Sequence, residues 1–294
     1  MSGITDAAFR RILAKYAKPD IMFTEFVSCD GLCSDGKEKL LLQLKYDKSE
    51  KPIVAQLFGS KPENFYDSAK LCAKLGFDGI DINMGCPDKN VVKQEAGANL
   101  IQNLALAGKI IQLTKKGTGN LAVSVKTRLG YNKIETKEWI SFLLKQDLAA
   151  ITIHGRTKKQ GYVGKVYWNE IEKAKKIAWK ISSKTLIIGN GDVKTLKEAN
   201  FLAKKYNLDG IMVGRALLSN PFLFNRENSI VFKKIEILIE HARLFEKLYP
   251  NRNFSEIKKF YRAYISGFAG ASKFRLKLMK ANNAKELEQY VKEQ

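Results

Sequence analysis

Gly79-Ile80-Asp81-Ile82-Asn83-Met84-Gly85-Cys86-Pro87 decides the fold. A short apolar run stops at a polar side chain and then enters a loop of glycine, cysteine and proline. Such length and Val/Ile content fit a strand buried on both faces of a parallel sheet. Similar runs recur at residues 21–26, 52–57, 79–83, 122–126, 149–154, 185–190 and 210–214. Helical patterns lie between them, at 6–16, 63–75, 98–116, 137–145, 169–180 and 195–206. Strands alternating with helices predict an α/β fold, a (β/α)8 TIM barrel. The runs are one short of eight, so the first strand, before Asp6, is expected to be truncated or minimal. After Asn220-Pro221 the alternation stops, and only helical periodicity remains, at 235–248, 255–267, 272–280 and 284–292. The expected organisation is a barrel over 1–225 and a small helical bundle over 226–294.

Composition narrows the class. The chain has 294 residues, 45% hydrophobic and 28% charged, which excludes disorder for its bulk. No run approaches the roughly 18 apolar residues of a membrane span. The start, Met1-Ser2-Gly3-Ile4-Thr5-Asp6, lacks the basic and apolar stretches of a signal peptide. Four cysteines are too few for a disulfide scaffold. A cytoplasmic protein with reduced thiols and no membrane contact is expected. Cys72 reads as a small buried hydrophobe, and Cys29 and Cys33 lack the further ligands that zinc requires. No metal is expected.

The net charge of +21 suits a polyanionic partner. Most of the cations are lysines, however, and such a skew also arises from composition alone. Residues 255–281 hold Lys258, Lys259, Arg262, Lys273, Arg275, Lys277 and Lys280, with Tyr261, Tyr264, Phe268 and Phe274 between them. This pattern fits an RNA-binding surface with stacking aromatics. It fits equally a helix pair with an aromatic core stripe and a solvated lysine face.

The strand ends share one design. The apolar runs lead to Gln56, Asn83, Lys126, His154, Asn190-Gly191-Asp192 and Gly214-Arg215. Barrel active sites form at the C-terminal strand ends, so these residues are expected to share one polar site. The last two units suit a phosphate, which barrels bind with backbone N–H groups after their final strands. His154 is one of only two histidines and precedes Gly155-Arg156-Thr157. Cys86, between Gly85 and Pro87, reads as a positioned loop cysteine rather than a packed one.

These segments resemble the tRNA-dihydrouridine synthases. The resemblance rests on Gly3-Ile4-Thr5-Asp6 with Phe9-Arg10, Asn83-Met84-Gly85-Cys86-Pro87, Gly97-Ala98, Val125-Lys126-Thr127-Arg128 and His154-Gly155-Arg156-Thr157. Residues 160–164, Asn190-Gly191-Asp192-Val193, 210–215 and Asn220-Pro221 extend it. It is close over about 1–225 and looser beyond, where it rests on Tyr261-Arg262 and Phe274-Arg275. One departure stands out: only Met1 and Ser2 precede the match, where the family has an apolar segment ending in Pro-Met.

The resemblance implies an FMN-dependent oxidoreductase that reduces the C5=C6 bond of a D-loop uridine in tRNA, with NADPH as reductant. It implies Cys86 as the catalytic acid. It implies Gln56, Lys126, His154, Asn190, Gly191, Asp192, Gly214 and Arg215 around FMN. Asn83, Arg128 and Arg156, with Lys258, Arg262 and Arg275 of the helical region, are expected to face the RNA. The expected partners are tRNA and NAD(P)H, and the expected state is a monomer. Two alternatives stay open: an FMN barrel that acts on a free pyrimidine, and a catalytically impaired tRNA-binding homologue.

Overall fold

The computed structural model describes residues 1–225 and 233–293. Seven strands form one parallel sheet in sequential order. They are β1 (Met22–Ser28), β2 (Ile53–Phe58), β3 (Gly79–Met84), β4 (Ala122–Arg128), β5 (Ala150–His154), β6 (Leu186–Asn190) and β7 (Gly210–Met212). Helices of eight residues or more are α1 (Ala7–Tyr16), α2 (Pro62–Lys74), α3 (Leu104–Thr118), α4 (Thr136–Leu144), α5 (Trp168–Ile181) and α6 (Leu196–Lys205), then α7 (Lys234–Leu248), α8 (Ala271–Leu278) and α9 (Ala284–Lys292). Each parallel neighbour needs a crossover, and the intervening helices supply it. This is the TIM-barrel order. Among the described residues no strand precedes α1.

The two faces of the sheet differ because side chains alternate along a strand. Ile80, Ile82, Val125, Ile151, Ile153 and Ile187 are fully buried on one face. That face meets the helices: Trp139 Nε1 of α4 donates to Thr127 Oγ1 at 2.8 Å. The opposite face takes the polar alternates. Register aligns Gln56 with Asp81, Asn83 with Lys126, Arg128 with His154, and His154 with Asn190.

Local chemistry explains where two expected helices changed. The helix expected over 98–116 is split into a 3-10 segment, Gly97–Gln102, and α3. Asn103 separates them, because its side chain accepts from Leu106 N at 3.0 Å and starts a new helix. The helix expected over 255–267 is a 3-10 segment, Phe254–Phe260, followed by a single α-helical turn, Tyr261–Tyr264. Phe254, Ile257 and Phe260 are buried at a spacing of three, which a 3-10 helix places on one face.

The described chain forms two compact units. The first comprises Met1, Ile21–Lys45 and Lys51–Val213, and holds the whole sheet. The second comprises Ser2–Asp20, Tyr46–Glu50 and the described part of 214–294. This partition differs from the expected one at 225/226, a boundary that abuts residues 226–232 outside the described residues. The cause is α1. Its Phe9 stacks on Phe260 at 4.6 Å and lies 5.6 Å from the His241 ring. Its Arg10 pairs with Glu50 at 2.6 Å, with both side chains almost fully buried. Ala7 N donates to Tyr249 Oη at 3.0 Å. α1 is therefore a core element of the second unit. Among the described residues no helix is long and apolar enough to cross a membrane.

His241 lies wholly inside this unit, with Nδ1 3.1 Å from Tyr264 Oη. Burial, and then the field of Lys259, pull its imidazole down to about 3 from an ordinary 6.5. The unfolded chain therefore takes up a proton below pH 6.5 that the folded chain refuses, so stability falls as pH falls. The unfolding free energy of His241→Phe should gain on the wild type by about 2 kcal/mol between pH 7 and pH 5, measured by denaturant titration at each pH.

Candidate active site at the strand ends

Parallel order puts all C-terminal strand ends at one edge of the sheet, and the register puts the polar alternates on one face. Gln56, Asp81, Asn83, Ser124, Lys126, Arg128, His154 and Asn190 therefore converge. At their centre is the Asp81 carboxylate, fully buried. Ser124 Oγ donates to its Oδ1 at 2.6 Å, and Gln56 Nε2 to its Oδ2 at 2.7 Å. Desolvation raises Asp81 to about 6, against these two hydrogen bonds and the Lys126 charge. Lys126 is half-buried, and burial, reinforced by Arg128, lowers it to about 8. Among the described residues Lys126 makes no ion pair, which leaves a cation on the interior face without a bonded anion.

Cys86 follows β3 on a loop held at both ends. Asn83 Oδ1 accepts from Gly85 N at 3.1 Å and from Cys86 N at 3.0 Å. Ala98 N donates to Cys86 O at 3.0 Å. Gly97 sits beside it at φ +61°, where a Cβ would approach Cys86 O to 2.9 Å, so only glycine fits. The Cys86 thiol is partly exposed. Burial pushes it above its ordinary value, so it is protonated at neutral pH.

The arginines are committed to the scaffold. Arg128 donates to the carbonyls of Gly85 at 2.7 Å, Thr157 at 3.0 Å and Gly161 at 2.7 Å. One guanidinium thus ties the Cys86 loop to the loop after β5, and it faces the exposed Tyr162 ring at 5.5 Å. Arg156 clasps Asp192 through both terminal nitrogens and donates to Gly164 O from Nε at 3.0 Å. His154 is buried beneath the same loop, its ring 6.4 Å from Tyr162. Asn190 Nδ2 donates to Met212 O at 2.8 Å. Gly191 has φ +143° and would drive a Cβ to 2.7 Å from Val166. Gly214 and Arg215 open a 3-10 turn, Arg215–Leu218, in the second unit.

In the second unit, Lys258, Lys259, Arg262 and Arg275 line a cleft of ≈ 310 Å³ together with Tyr261, Ser272, Leu276 and Met279. Lys273 and Lys277 are not part of this lining, and Lys277 pairs with Glu293 at 3.2 Å. Lys258 donates to Met279 O and Arg275 to Ile265 O, both at 2.7 Å. Tyr261, Tyr264 and Phe274 are buried, and only Phe268 of the four aromatics is exposed. The stacking expectation therefore fails for three of them, because they form the core. Cys72 is buried as expected, and no metal-binding cluster occurs among the described residues.

Sequence reading alone missed Asp81, Ser124 and Tyr162. The signal that could have found the first was the alternation Ile80-Asp81-Ile82, with a carboxylate at an interior position of a buried strand.

The fold and site define a class: a (β/α) barrel with a polar strand-end centre and a loop cysteine. The chain belongs to the dihydrouridine synthase (Dus) family, whose model matches residues 1–294. A Staphylococcus aureus (strain COL) protein named probable tRNA-dihydrouridine synthase is 39% identical over 292 residues, covering 97% of this chain and 88% of its own length. A Bacillus subtilis (strain 168) protein named probable tRNA-dihydrouridine synthase 2 is 38% identical, covering 98% and 90%. Among solved structures, the old yellow enzyme homologue from Zymomonas mobilis aligns with a TM-score of 0.53 at 14% identity, covering 76% of this chain and 83% of its own. Morphinone reductase aligns with 0.52 at 11%, covering 76% and 82%. At these identities they share the barrel fold.

Arg128→Met leaves three carbonyls without their donor. A loss of about 3 kcal/mol in stability is expected from hydrogen bonds to a charged group. Trypsin should also cut faster at Lys158, Lys159 and Lys165, read by limited proteolysis with mass spectrometry.

Proposed function

We propose that this dihydrouridine synthase binds FMN at the strand-end centre and reduces the C5=C6 bond of a D-loop uridine in tRNA, with NADPH as reductant. One observation carries the reading. Gln56, Asn83, Lys126 and His154 share the interior face of the sheet, beside a protonated cysteine on a braced loop.

The residues fit a flavin. Lys126 is a cation with no ion pair among the described residues, and the pyrimidine edge of the isoalloxazine is electron-rich. Lys126 would sit at that edge, with the Gln56 and Asn190 amides and His154 completing the contacts. Gly191 and Asp192 are assigned to the phosphate side, where Arg156 orients the Asp192 carboxylate. Reduced FMN, when bound, supplies a hydride to uracil C6.

The chain's own groups do the rest. Addition at C6 builds negative charge on C5 and O4, and a general acid must protonate C5. Cys86 Sγ–H is that acid. Burial keeps it protonated at neutral pH, which is the state an acid needs. Asn83 fixes the loop that carries it, and Asn83 and Arg128 flank the uracil. The uridine must leave its stack, at a cost of a few kcal/mol. Contacts from cations such as Lys258, Arg262 and Arg275 to phosphates offset that cost.

The test uses purified protein, FMN, NADPH and unmodified tRNA, with mass spectrometry of the nucleosides. Dihydrouridine at a D-loop position supports the proposal, and a colourless protein that takes up no FMN overturns it. Cys86→Ala should keep FMN binding and flavin reduction by NADPH while losing dihydrouridine formation, about 10²–10⁴-fold for a general acid. The Lys126 charge is present below its value near 8 and lost above it. FMN affinity, followed by flavin fluorescence, should therefore weaken as pH rises through about 8. Lys126→Arg, whose charge persists, should flatten that dependence.

A further inference from the structure

We propose that Asp81 is a positioning residue: its carboxylate sets the direction of a hydrogen-bond chain that runs through Gln56 and Asn83 to the backbone of Cys86. An ionised carboxylate only accepts hydrogen bonds, whereas an amide both donates and accepts. Asp81 takes Ser124 Oγ–H on one oxygen and Gln56 Nε2–H on the other, at 2.6 and 2.7 Å. Gln56 must therefore turn its NH₂ toward Asp81, and its carbonyl toward Asn83. Asn83 Nδ2 donates to that carbonyl at 3.4 Å. Asn83 must then turn its own carbonyl toward Gly85 N and Cys86 N, at 3.1 and 3.0 Å. Reversing either amide sets donor against donor.

Asp81 is the one side chain of this network with nothing to donate, so it anchors the accepting end, as the Gly85 and Cys86 N–H groups, which can only donate, anchor the other. A buried ion is costly, and an aliphatic side chain would fill the same position. The direction of the chain is what the carboxylate adds. Asp81 is not assigned to touch the substrate. It acts through Gln56 and Asn83 on the loop that presents the thiol. The catalytic consequence rests on the reading of Cys86 as the acid, whereas the amide chain itself does not.

Hydrogen exchange with mass spectrometry on the full chain, without added flavin, tests the chain. In Asp81→Asn, the new amide can donate to Gln56 Oε1 and reverse both amides, which puts Asn83 NH₂ against the Cys86 N–H. Exchange at Gly85 and Cys86 should rise about tenfold, while Ile80 and Ile82 in β3 stay unchanged. Adding Gln56→Glu to Asp81→Asn supplies a carboxylate that accepts both from the new amide and from Asn83. The double variant should return exchange to within about twofold of the wild type. Ser124→Ala removes a donor but leaves the direction intact, so the Cys86 amide should be unmoved.

Unchanged exchange in Asp81→Asn overturns the proposal. So does acceleration spread across β2 to β4, acceleration in Ser124→Ala, or a double variant that restores nothing. In turnover, Asp81→Asn should lower kcat for tRNA and leave KM unmoved. Faster loop exchange with unchanged kcat would overturn the positioning role. A wild-type protein that forms no dihydrouridine would overturn the functional reading alone, and the exchange result would still decide the amide chain.

Discussion

A parallel strand covered by helices on one side turns every second side chain toward the sheet's other face, and those interior positions must be satisfied without the helices' help. In this barrel β3 and β4 place Asp81, Asn83, Ser124 and Lys126 there. Asp81, Asn83 and Ser124 bond one another through Gln56 of β2, as enclosed polar groups must, while Lys126 makes no ion pair among the described residues. The resulting network joins three adjacent strands, β2, β3 and β4, and extends through Asn83 into the Cys86 loop. Fold and site are thus one construction. The apolar alternates hold the helices, and the polar alternates hold the reactive loop.

The second unit follows a similar rule with different residues. α1 brings two buried demands into it, an aromatic face through Phe9 and a guanidinium through Arg10. Glu50 answers the second. It accepts from Arg10 and, through its other oxygen, from Asp47 N at 2.8 Å. An N-terminal helix that precedes a barrel in sequence therefore belongs by packing to the helical unit. The cations of this unit divide between roles. Some, such as Lys258, are tethered to main-chain carbonyls, while Arg262 stands exposed in the cleft lining.

Much of this was legible in the chain itself. The strand runs and the parallel order follow from short apolar runs that alternate with helical patterns, because a strand buried on both faces of a sheet reads as a near-continuous apolar run, and the strand-end polar residues stand where those runs stop. The contact of Gly97 with Cys86 was not legible, since it joins the two ends of a loop. The 3-10 geometry of Phe254–Phe260 was hidden, because a three-residue spacing also occurs within a helical stripe.

Composition and periodicity by themselves determined the class of fold, the polar edge of the sheet and the cysteine that lies beside it. Only tertiary structure decided the partners: that Arg156 holds Asp192, that Arg128 bridges two loops, that Tyr261, Tyr264 and Phe274 are core, and that α1 sides with the helices. The reason is physical. Local periodicity records which way a side chain points, but a hydrogen-bond or packing partner is chosen by the three-dimensional register of segments far apart in the chain.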